Sequence, residues 1–231
     1  MYFKQLLKGI VDWPVAEGAN PWIQGLCQDS RQLKTGDLFF AYPGSQNDGR
    51  DFIDAAMAHN VAAILFESRA DGVVPATNIP CIPIKGLGAY LGLIAARFYG
   101  YPSQKMAVIG VTGTNGKTSC THFLAQSLQR LQRRCAVIGT LGNGLYPQLT
   151  PSALTTPDAL ELQQLLAQFH QQGADTVVME VSSHRLAQQR LNGTIFSSTA
   201  LTNLTRDHLD YHQTMAHYAQ AKRSLFYFAR C

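Results

Sequence analysis

A glycine-rich segment near the middle of the chain, Gly110-Val-Thr-Gly-Thr-Asn-Gly-Lys-Thr118, most constrains the fold. The apolar run at residues 106–109 predicts a strand before it, and an amphipathic stretch predicts a helix after it. A strand, a glycine loop and a helix in this order direct backbone N–H groups and a helix N-terminus towards a phosphate. Five residues separate Gly110 from Gly116, whereas the usual phosphate loop has four at this place. The segment is therefore a variant of that loop, and a chance glycine-rich turn is the alternative.

Polar residues at the end of this segment and of a later strand suit a site for magnesium and phosphate. Lys117 is expected to bring a positive charge to the terminal phosphates, and the Thr118 hydroxyl to contact a magnesium ion. Glu180 lies at the end of the apolar run 176–181. Because open parallel sheets bind ligands at the carboxyl ends of their strands, Glu180 is expected to be a second magnesium ligand. The alternative is a carboxylate that caps a nearby helix.

The composition favours a folded protein of one large domain or two smaller ones. Of the 231 residues, 46% are hydrophobic and 15% are charged, enough apolar material for a packed core. The net charge of +4 comes without a dense basic run, so no nucleic-acid partner is expected. No secretory signal is visible, and no stretch approaches the ~20 apolar residues that span a bilayer. Five scattered cysteines argue against a disulfide framework or a zinc site and indicate a reducing cytoplasm.

Strand and helix patterns alternate along the chain and predict the α/β class. The break at residues 100–103 divides a small N-terminal α/β domain, residues 1–102, from a phosphate-loop domain with a mostly parallel sheet, residues 103–231. The predicted strands are residues 36–42, 61–66, 81–84, 106–109, 136–139, 176–181 and 199–202. The predicted helices are residues 51–60, 87–99, 117–133, 156–172 and 215–228.

Three details of the second domain follow from local patterns. Thr156 and Pro157 are expected to be the cap and the first residue of a helix. About four strands are found, which is thin for a sheet covered on both faces, so the chain is expected to be a fragment of a longer protein. The helix after the glycine loop has one face formed by Phe123, Leu124, Ser127, Leu128 and Leu131.

Two further residues are unremarkable when taken alone. His208 lies in the polar run 206–212, where a histidine is more often a surface residue than a metal ligand. Lys222 lies in a predicted amphipathic helix, where a lysine is usually solvated. Residue chemistry alone does not select either of them.

The motifs taken together resemble the Mur ligases, and within that family the enzymes that add the third amino acid of the peptide. The sibling enzymes that add the D-Ala-D-Ala dipeptide share the upstream motifs but lack the 180–184 and 207–212 runs. The resemblance covers nearly the whole chain. It rests on Asp29-Ser-Arg31, Gly36-Asp-Leu-Phe39, Asp48-Gly-Arg50, Thr112-Gly-Thr-Asn-Gly-Lys-Thr118, Thr155-Thr-Pro157, Met179-Glu-Val-Ser-Ser-His184, Leu201-Thr-Asn-Leu204, Asp207-His-Leu-Asp-Tyr-His212 and Tyr218-Ala-Gln-Ala-Lys222.

The resemblance implies an ATP-dependent ligase of peptidoglycan precursor synthesis. Such an enzyme adds meso-diaminopimelate or L-lysine to UDP-N-acetylmuramoyl-L-alanyl-D-glutamate through an acyl phosphate, forming ADP and phosphate. It implies a cytoplasmic monomer without membrane insertion. A third, C-terminal domain of the family is not in this sequence, so the isolated chain is expected to ligate little or not at all. The alternatives are another phosphate-loop enzyme, either a kinase or a folate-type glutamate ligase, and a non-catalytic nucleotide-binding module.

The same resemblance implies the site residues. Lys117, His208 and Lys222 are implied to be catalytic, and one Mg²⁺ is held by Thr118 and Glu180. A second Mg²⁺ is bound by His208 and by Lys222, which is typically carbamylated by CO2 in this family. The nucleotide is bound by Gly113, Thr114, Asn115, Gly116, Lys117, Thr118 and Asn203. The UDP-muramoyl substrate is bound by Ser30, Gln46, Thr155, Thr156, Ser182, Gln188 and Arg190. Around Gln46 the chain has Ser45-Gln-Asn47 where many relatives have His-Gln-Ala, which weakens that assignment.

Overall fold

The computed structural model describes residues 1–11, 20–44, 47–68, 74–152 and 154–229. The chain forms two compact units, Met1–Phe98 and Tyr99–Cys231, and each is described by itself. The sequence places its domain boundary between residues 102 and 103. Among the described residues, no helix combines the length and the apolar character that crossing a membrane requires.

The first unit is built on a four-stranded parallel sheet. Its strands are β1 (Gly25–Cys27), β2 (Asp37–Ala41), β3 (Ala63–Glu67) and β4 (Cys81–Ile84), adjacent in that order. Its helices are α1 (Phe3–Leu7), α2 (Ile53–Ala58) and α3 (Leu87–Phe98). The sequence predicts β2, β3, β4, α2 and α3 and misses β1 and α1. Helix α2 begins later than predicted because Asp48 caps a 3₁₀ helix, Gly49–Phe52, in front of it.

The second unit is built on a five-stranded sheet in the order β7-β6-β8-β5-β9. The strands are β5 (Ala107–Thr112), β6 (Cys135–Gly139), β7 (Gly142–Leu145), β8 (Thr176–Glu180) and β9 (Ser198–Leu201), and only the β6–β7 pair is antiparallel. The helices are α4 (Lys117–Arg130), α5 (Ala159–Gln171), α6 (Ser183–Ala187), α7 (Leu209–His212) and α8 (Met215–Arg223). The mostly parallel α/β architecture is confirmed, although the predicted strand count misses β7.

Helix α4 follows the glycine loop as predicted, but of its predicted apolar face Leu128 packs against the core while Phe123, Leu124 and Leu131 are exposed. Phe123 and Leu131 are 65% and 72% exposed. The fully buried residues of α4 are Thr121 and Ala125, and Ala125 packs with Val111 and Val178 of the sheet. Small side chains let the helix lie close to the strands, and most of the large apolar residues of α4 are left exposed.

Three predicted helix ends differ from the structure by three residues or more, and the first is the end of α4, which lies at Arg130 instead of residue 133. Helix α5 begins at Ala159, and its cap is Asp158, whose side chain accepts hydrogen bonds from the backbone of Leu160 and Glu161. The Thr156 hydroxyl instead donates to the carbonyl of Glu180 at 2.9 Å, so it is not available to cap α5. Helix α8 ends at Arg223 and continues as a 3₁₀ helix, Ser224–Phe228.

Candidate nucleotide and metal site

The glycine loop connects the end of β5 to the first turn of α4, as its sequence predicts. Gly113 and Gly116 have φ angles of +152° and +82°, which residues with a side chain rarely adopt. A Cβ atom at Gly113 would also overlap the Thr202 hydroxyl. Gly116 is the N-cap of α4 and supplies no side chain, so the first N–H groups of this helix have no side-chain cap. The loop therefore presents a helix N-terminus that can receive an anion.

Two lysine ammonium groups converge on one carbonyl of this loop. Lys117 Nζ donates to the carbonyls of Gly113 at 2.9 Å and Thr114 at 3.0 Å. Lys222 Nζ, from the opposite end of the unit's sequence, donates to the Gly113 carbonyl at 2.7 Å. Burial, helped by the charge of Lys117, lowers the pKa of Lys222 to about 8, and burial lowers the pKa of Lys117 as well. The site concentrates positive charge that an anionic ligand would neutralise.

Glu180 lies beside this positive site, since β5 and β8 are adjacent and Val111 pairs with Glu180. Glu180 is 1% exposed, and its carboxylate accepts three hydrogen bonds. The Thr118 hydroxyl donates one at 2.9 Å, the Thr140 N–H donates one at 2.8 Å, and the Thr140 hydroxyl donates one at 3.2 Å. No salt bridge to it occurs among the described residues. A buried carboxylate held only by neutral donors is suited to a cation.

The side chains at this site suit magnesium better than a metal ion that requires several protein ligands. Within the described ranges, no three His, Cys, Asp or Glu side chains are grouped so that they could hold a metal ion. Magnesium is usually bound by one or two carboxylates together with water and substrate phosphates, so a single carboxylate with a hydroxyl satisfies its needs. Thr118 and Glu180 form such a pair, next to the loop that would hold the phosphates.

The segment after β9 closes over the glycine loop. Asn203 and Asn115 form two hydrogen bonds, each 3.1 Å long, in which the Asn115 N–H donates to the Asn203 side chain and the Asn203 amide donates to the Asn115 carbonyl. The Thr202 hydroxyl donates to the same carbonyl at 2.6 Å. The Thr205 N–H donates to the Thr114 hydroxyl at 3.0 Å. The structure thus brings Asn203 to the loop residues with which it is predicted to act.

His208 is brought near the site but not into hydrogen-bond contact with Lys222. Its residue is exposed, its backbone is left-handed with φ +52°, and its Nε2 atom lies 3.6 Å from the Asp207 carboxylate. Its ring lies 4.9 Å from that of His184 and 6.0 Å from that of Tyr218. Tyr218 in turn lies 4.5 Å below the ammonium of Lys222. Tyr218 therefore contacts both of the residues implied to share a metal ion.

The residues predicted to bind the muramoyl substrate in the second unit surround Glu180 and α6. Thr155 bonds with the Thr140 hydroxyl at 3.1 Å, and Thr156 accepts from the Ser182 N–H at 3.1 Å. Ser182 is the N-cap of α6. Gln188 follows the end of α6 and is exposed, and its amide donates to the Tyr211 hydroxyl at 3.4 Å. Arg190 is half-buried, and its N–H donates to the Arg185 carbonyl at 3.0 Å.

In the first unit, Ser30 lines a separate pocket of about 470 Å³. The pocket also contains Asp29, Arg31 and Tyr42 and lies beyond the carboxyl ends of β1 and β2. Such crevices are common ligand sites in parallel sheets. The other residue predicted in this unit, Gln46, lies outside the described residues.

Sequence reasoning missed several residues of the site. Thr140 gives Glu180 two hydrogen bonds, and it follows β6 directly, at a strand end like the one that drew attention to Glu180. Tyr218 is fully buried, and its hydroxyl bonds with that of Thr114 at 3.1 Å. The sequence selects Tyr218 only as the first residue of the resembling motif Tyr218-Ala-Gln-Ala-Lys222. Its polar partner could not be deduced, because Thr114 lies 104 positions earlier in the chain.

The fold and the site define a phosphate-loop domain of the α/β class that follows a smaller α/β unit. Residues 111–230 match the family model described as "Mur ligase middle domain", and residues 23–99 match "Mur ligase family, catalytic domain". The chain belongs to the Mur ligase family.

Similar proteins agree with this assignment. The UDP-N-acetylmuramoyl-L-alanyl-D-glutamate--2,6-diaminopimelate ligase of Pseudomonas putida is 49% identical over 90% of this chain and 42% of its own length. A solved structure of an enzyme with that name has a TM-score of 0.82 at 35% identity and covers 99% of this chain and 45% of its own. A MurF ligase from Thermotoga maritima in complex with ADP, 21% identical over 90% of this chain and 44% of its own, shares the fold with a TM-score of 0.64. The chain thus spans less than half the length of these relatives.

Proposed function

We propose that this chain belongs to an ATP-dependent ligase that joins 2,6-diaminopimelate to UDP-N-acetylmuramoyl-L-alanyl-D-glutamate and releases ADP and phosphate. The reaction and both substrates are supported by the name of the Pseudomonas putida relative, 49% identical over 90% of the chain. We propose diaminopimelate and not L-lysine as the amino acid that is added, because the name of this relative specifies 2,6-diaminopimelate. A cytoplasmic location and a monomeric state are proposed with it.

One observation carries the proposal: Lys117, Lys222 and the Thr118–Glu180 pair surround the carbonyl of Gly113 and the N-terminus of α4. The uncapped N–H groups and Lys117 would bind the phosphates of ATP, as in other phosphate loops. Thr118 and Glu180 would hold Mg²⁺, which offsets phosphate charge when it is bound. Asn115 and Asn203 brace the loop, so its donors keep their positions as a ligand enters.

Lys222 is proposed to act as a carbamate. An ammonium in this position repels a metal ion, whereas a carbamate offers hard oxygen ligands. The neutral amine of Lys222 would attack CO2, form the N–C bond and release one proton. Burial favours the neutral amine, because it lowers the pKa of Lys222 to about 8. His208 is proposed to bind the same second Mg²⁺ together with this carbamate.

The chemical task explains the use of ATP. A carboxylate has no good leaving group, so the γ-carboxylate of the D-glutamate would first accept a phosphoryl group and then be attacked by the amine of the diamino acid. The protein's contribution is alignment and charge neutralisation. We propose that Thr155, Thr156, Ser182, Gln188 and Arg190 contact the muramoyl substrate in the second unit, and that Ser30 contacts it in the first.

Calorimetry of the chain with Mg²⁺ and a non-hydrolysable ATP analogue tests the nucleotide site. Glu180→Gln should weaken the Mg²⁺-dependent binding by at least about ten-fold, because it removes the buried charge that faces the ion. Glu161→Gln on α5 is the matched control and should bind normally. Equal binding by both variants would refute the role of Glu180.

Ligation tests the reaction. The full gene product is incubated with UDP-muramoyl dipeptide, ATP and either diaminopimelate or L-lysine, and the product is identified by mass spectrometry. A dihydrofolate substrate with glutamate serves as the control for a folate-type ligase. Product with diaminopimelate supports the proposal. Product only with the folate substrate would overturn it.

A further inference from the structure

The segment that carries His208 is attached to the rest of the unit at both of its ends. This segment, residues 202–213, is named the histidine loop here. Its first half is bonded to the glycine loop through Asn203 and Thr205. Its middle, residues 205–208, is exposed, and Asp207 is the acidic residue against which His208 lies. The position of His208 therefore depends on how the second half is held.

The second half of the histidine loop has one buried side chain, His212, beside the exposed Tyr211, which accepts a hydrogen bond from the Gln188 amide at 3.4 Å and lies 4.4 Å from the His184 ring. His212 is 6% exposed and is the loop's only fully buried residue among those the structure describes. Its Nε2 atom shares a hydrogen bond of 3.0 Å with the hydroxyl of Ser183, which is 2% exposed. Ser183 begins α6, three residues after Glu180, at which the strand ends. This bond consequently connects the loop that bears His208 to the strand that bears Glu180.

Ring contacts continue the connection towards His208. The His212 ring lies 5.4 Å from that of His184 and 5.2 Å from that of Tyr218. The His208 ring packs on the same two rings, at 4.9 Å and 6.0 Å. Left-handed residues at both ends of α7, His208 at φ +52° and Gln213 at φ +64°, show that this short turn is held against its local preference. Contacts with the rest of the unit must supply that constraint, and the buried contact among them is the one that His212 makes.

We propose that His212, through its hydrogen bond to Ser183, is a positioning residue that fixes His208 relative to Glu180. The importance of this for catalysis rests on the proposed function, in which both residues bind Mg²⁺. The anchoring itself is a property of the unliganded chain. His212 touches neither the glycine loop carbonyl nor Lys222 in any described contact, so it acts through His208 and not on a ligand.

Nuclear Overhauser effects between ring protons test the anchoring without any nucleotide. In protein with isotope-labelled histidine and tyrosine, a nuclear Overhauser effect between the His184 and His208 rings should be observed for the native sequence. It should be lost in Ser183→Ala and in His212→Leu, because each variant removes one partner of the anchoring hydrogen bond. His212→Gln should keep the effect, because the glutamine side-chain amide can take the place of Nε2 in the hydrogen bond to Ser183. The His122–Tyr146 pair, 5.9 Å apart on α4 and the segment after β7, should keep its effect in every variant and report an intact fold.

The outcomes separate the anchoring from the proposed function. Persistence of the His184–His208 effect in Ser183→Ala, which removes only a hydroxyl, overturns the proposal even where His212→Leu does not fold. Loss of the effect together with an about five-fold weaker binding of the Mg²⁺–ATP analogue, the equivalent of one hydrogen bond, supports it fully. Loss of the effect with unchanged binding supports the anchoring and counts against the metal role proposed for His208.

Discussion

Replacing Lys222 by methionine should stabilise the unliganded chain while it removes a residue proposed to be catalytic. Lys222 is 3% exposed, and its ammonium has no salt bridge among the described residues. Methionine has a similar unbranched shape and brings no charge into the site. The Gly113 carbonyl keeps a donor after the change, because Lys117 also bonds to it at 2.9 Å. The substitution therefore removes a buried charge without leaving an unpaired buried oxygen.

The size of the effect follows from the pKa of Lys222, which burial lowers from 10.5 to about 8. At about 1.4 kcal/mol for each pH unit, keeping the folded chain protonated at pH 7 costs roughly 3 kcal/mol. The lost hydrogen bond to Gly113 offsets about 1.5 kcal/mol of the gain. Lys222→Met should thus unfold with a free energy about 1–2 kcal/mol larger at pH 7.

The sign of the pH dependence is fixed by the direction of the shift. Between about pH 8 and 10.5 the unfolded chain holds the Lys222 proton and the folded chain does not. The native chain therefore gains stability relative to the variant as the pH rises through this window. Below pH 8 both states are protonated and the penalty is complete. The advantage of the methionine variant should disappear by about pH 10.

Urea unfolding followed by far-ultraviolet circular dichroism measures this difference at pH 7 and pH 10. Both tryptophans of the chain precede residue 99, so tryptophan fluorescence does not follow the second unit. The buffers are freed of CO2, since a carbamate would change the charge. Lys105→Met, an exposed lysine of the same unit, is the matched control and should have no pH-dependent effect. A Lys222→Met chain that is less stable at pH 7, or equally stable at both pH values, would refute the reasoning.

Three other substitutions test the packing around the loop. Gly113→Ala should lower the unfolding free energy, measured by urea titration, by about 2–3 kcal/mol, because Gly113 has a positive φ and no room for a Cβ atom. In a Thr202→Ala background, which removes the hydroxyl that the Cβ atom would meet, part of this lost free energy should be regained. Tyr218→Phe should cost about 1 kcal/mol in the same assay, since it removes the buried bond to Thr114. Phe123→Ser should change the unfolding free energy by less than about 0.5 kcal/mol, and the melting temperature correspondingly little, because the Phe123 side chain is largely exposed to solvent.

The parts of the fold that the sequence predicts are those with strong local signals. Apolar runs next to turns identified β2, β3, β5 and β8, and the glycine loop fixed the start of α4 at Lys117. Strand β7, Gly142-Asn-Gly-Leu145, has two glycines with positive φ and weak strand propensity, so its sequence resembles a turn. It becomes a strand by pairing with β6, and Asn143 also forms an antiparallel bridge with Thr150. Its partner and not its own sequence determines its structure.

Local signals failed where a tertiary contact competed with them. Thr156 has the chemistry of a helix cap, but its hydroxyl donates to the Glu180 carbonyl, and Asp158 caps the helix instead. The face of α4 that contains Phe123 is apolar, yet the residues of α4 that are fully buried are the small Thr121 and Ala125, and Leu128 of that face is only partly buried against the core. In both cases the decisive neighbour lies far away in the sequence.

The candidate site shows the same division between local and distant information. Lys117, Thr118 and Glu180 follow from loop chemistry and strand ends. Lys222 follows from resemblance alone, because nothing in α8 reveals that its ammonium reaches the carbonyl of Gly113, which lies 109 positions earlier.

The hydrogen bonds of the glycine loop explain how it can exchange its lysine donors for a ligand. The Thr112 hydroxyl donates to the Val181 carbonyl at 2.8 Å, Thr114 bonds with Tyr218, and Asn115 is held by Asn203. None of these bonds involves Lys117 or Lys222. The Lys117 ammonium can therefore leave the Gly113 carbonyl for a phosphate, as proposed, and Lys222 can leave it on carbamylation, while the backbone of the loop keeps its shape. Because the loop is ordered before the ligand arrives, binding loses little free energy to ordering it.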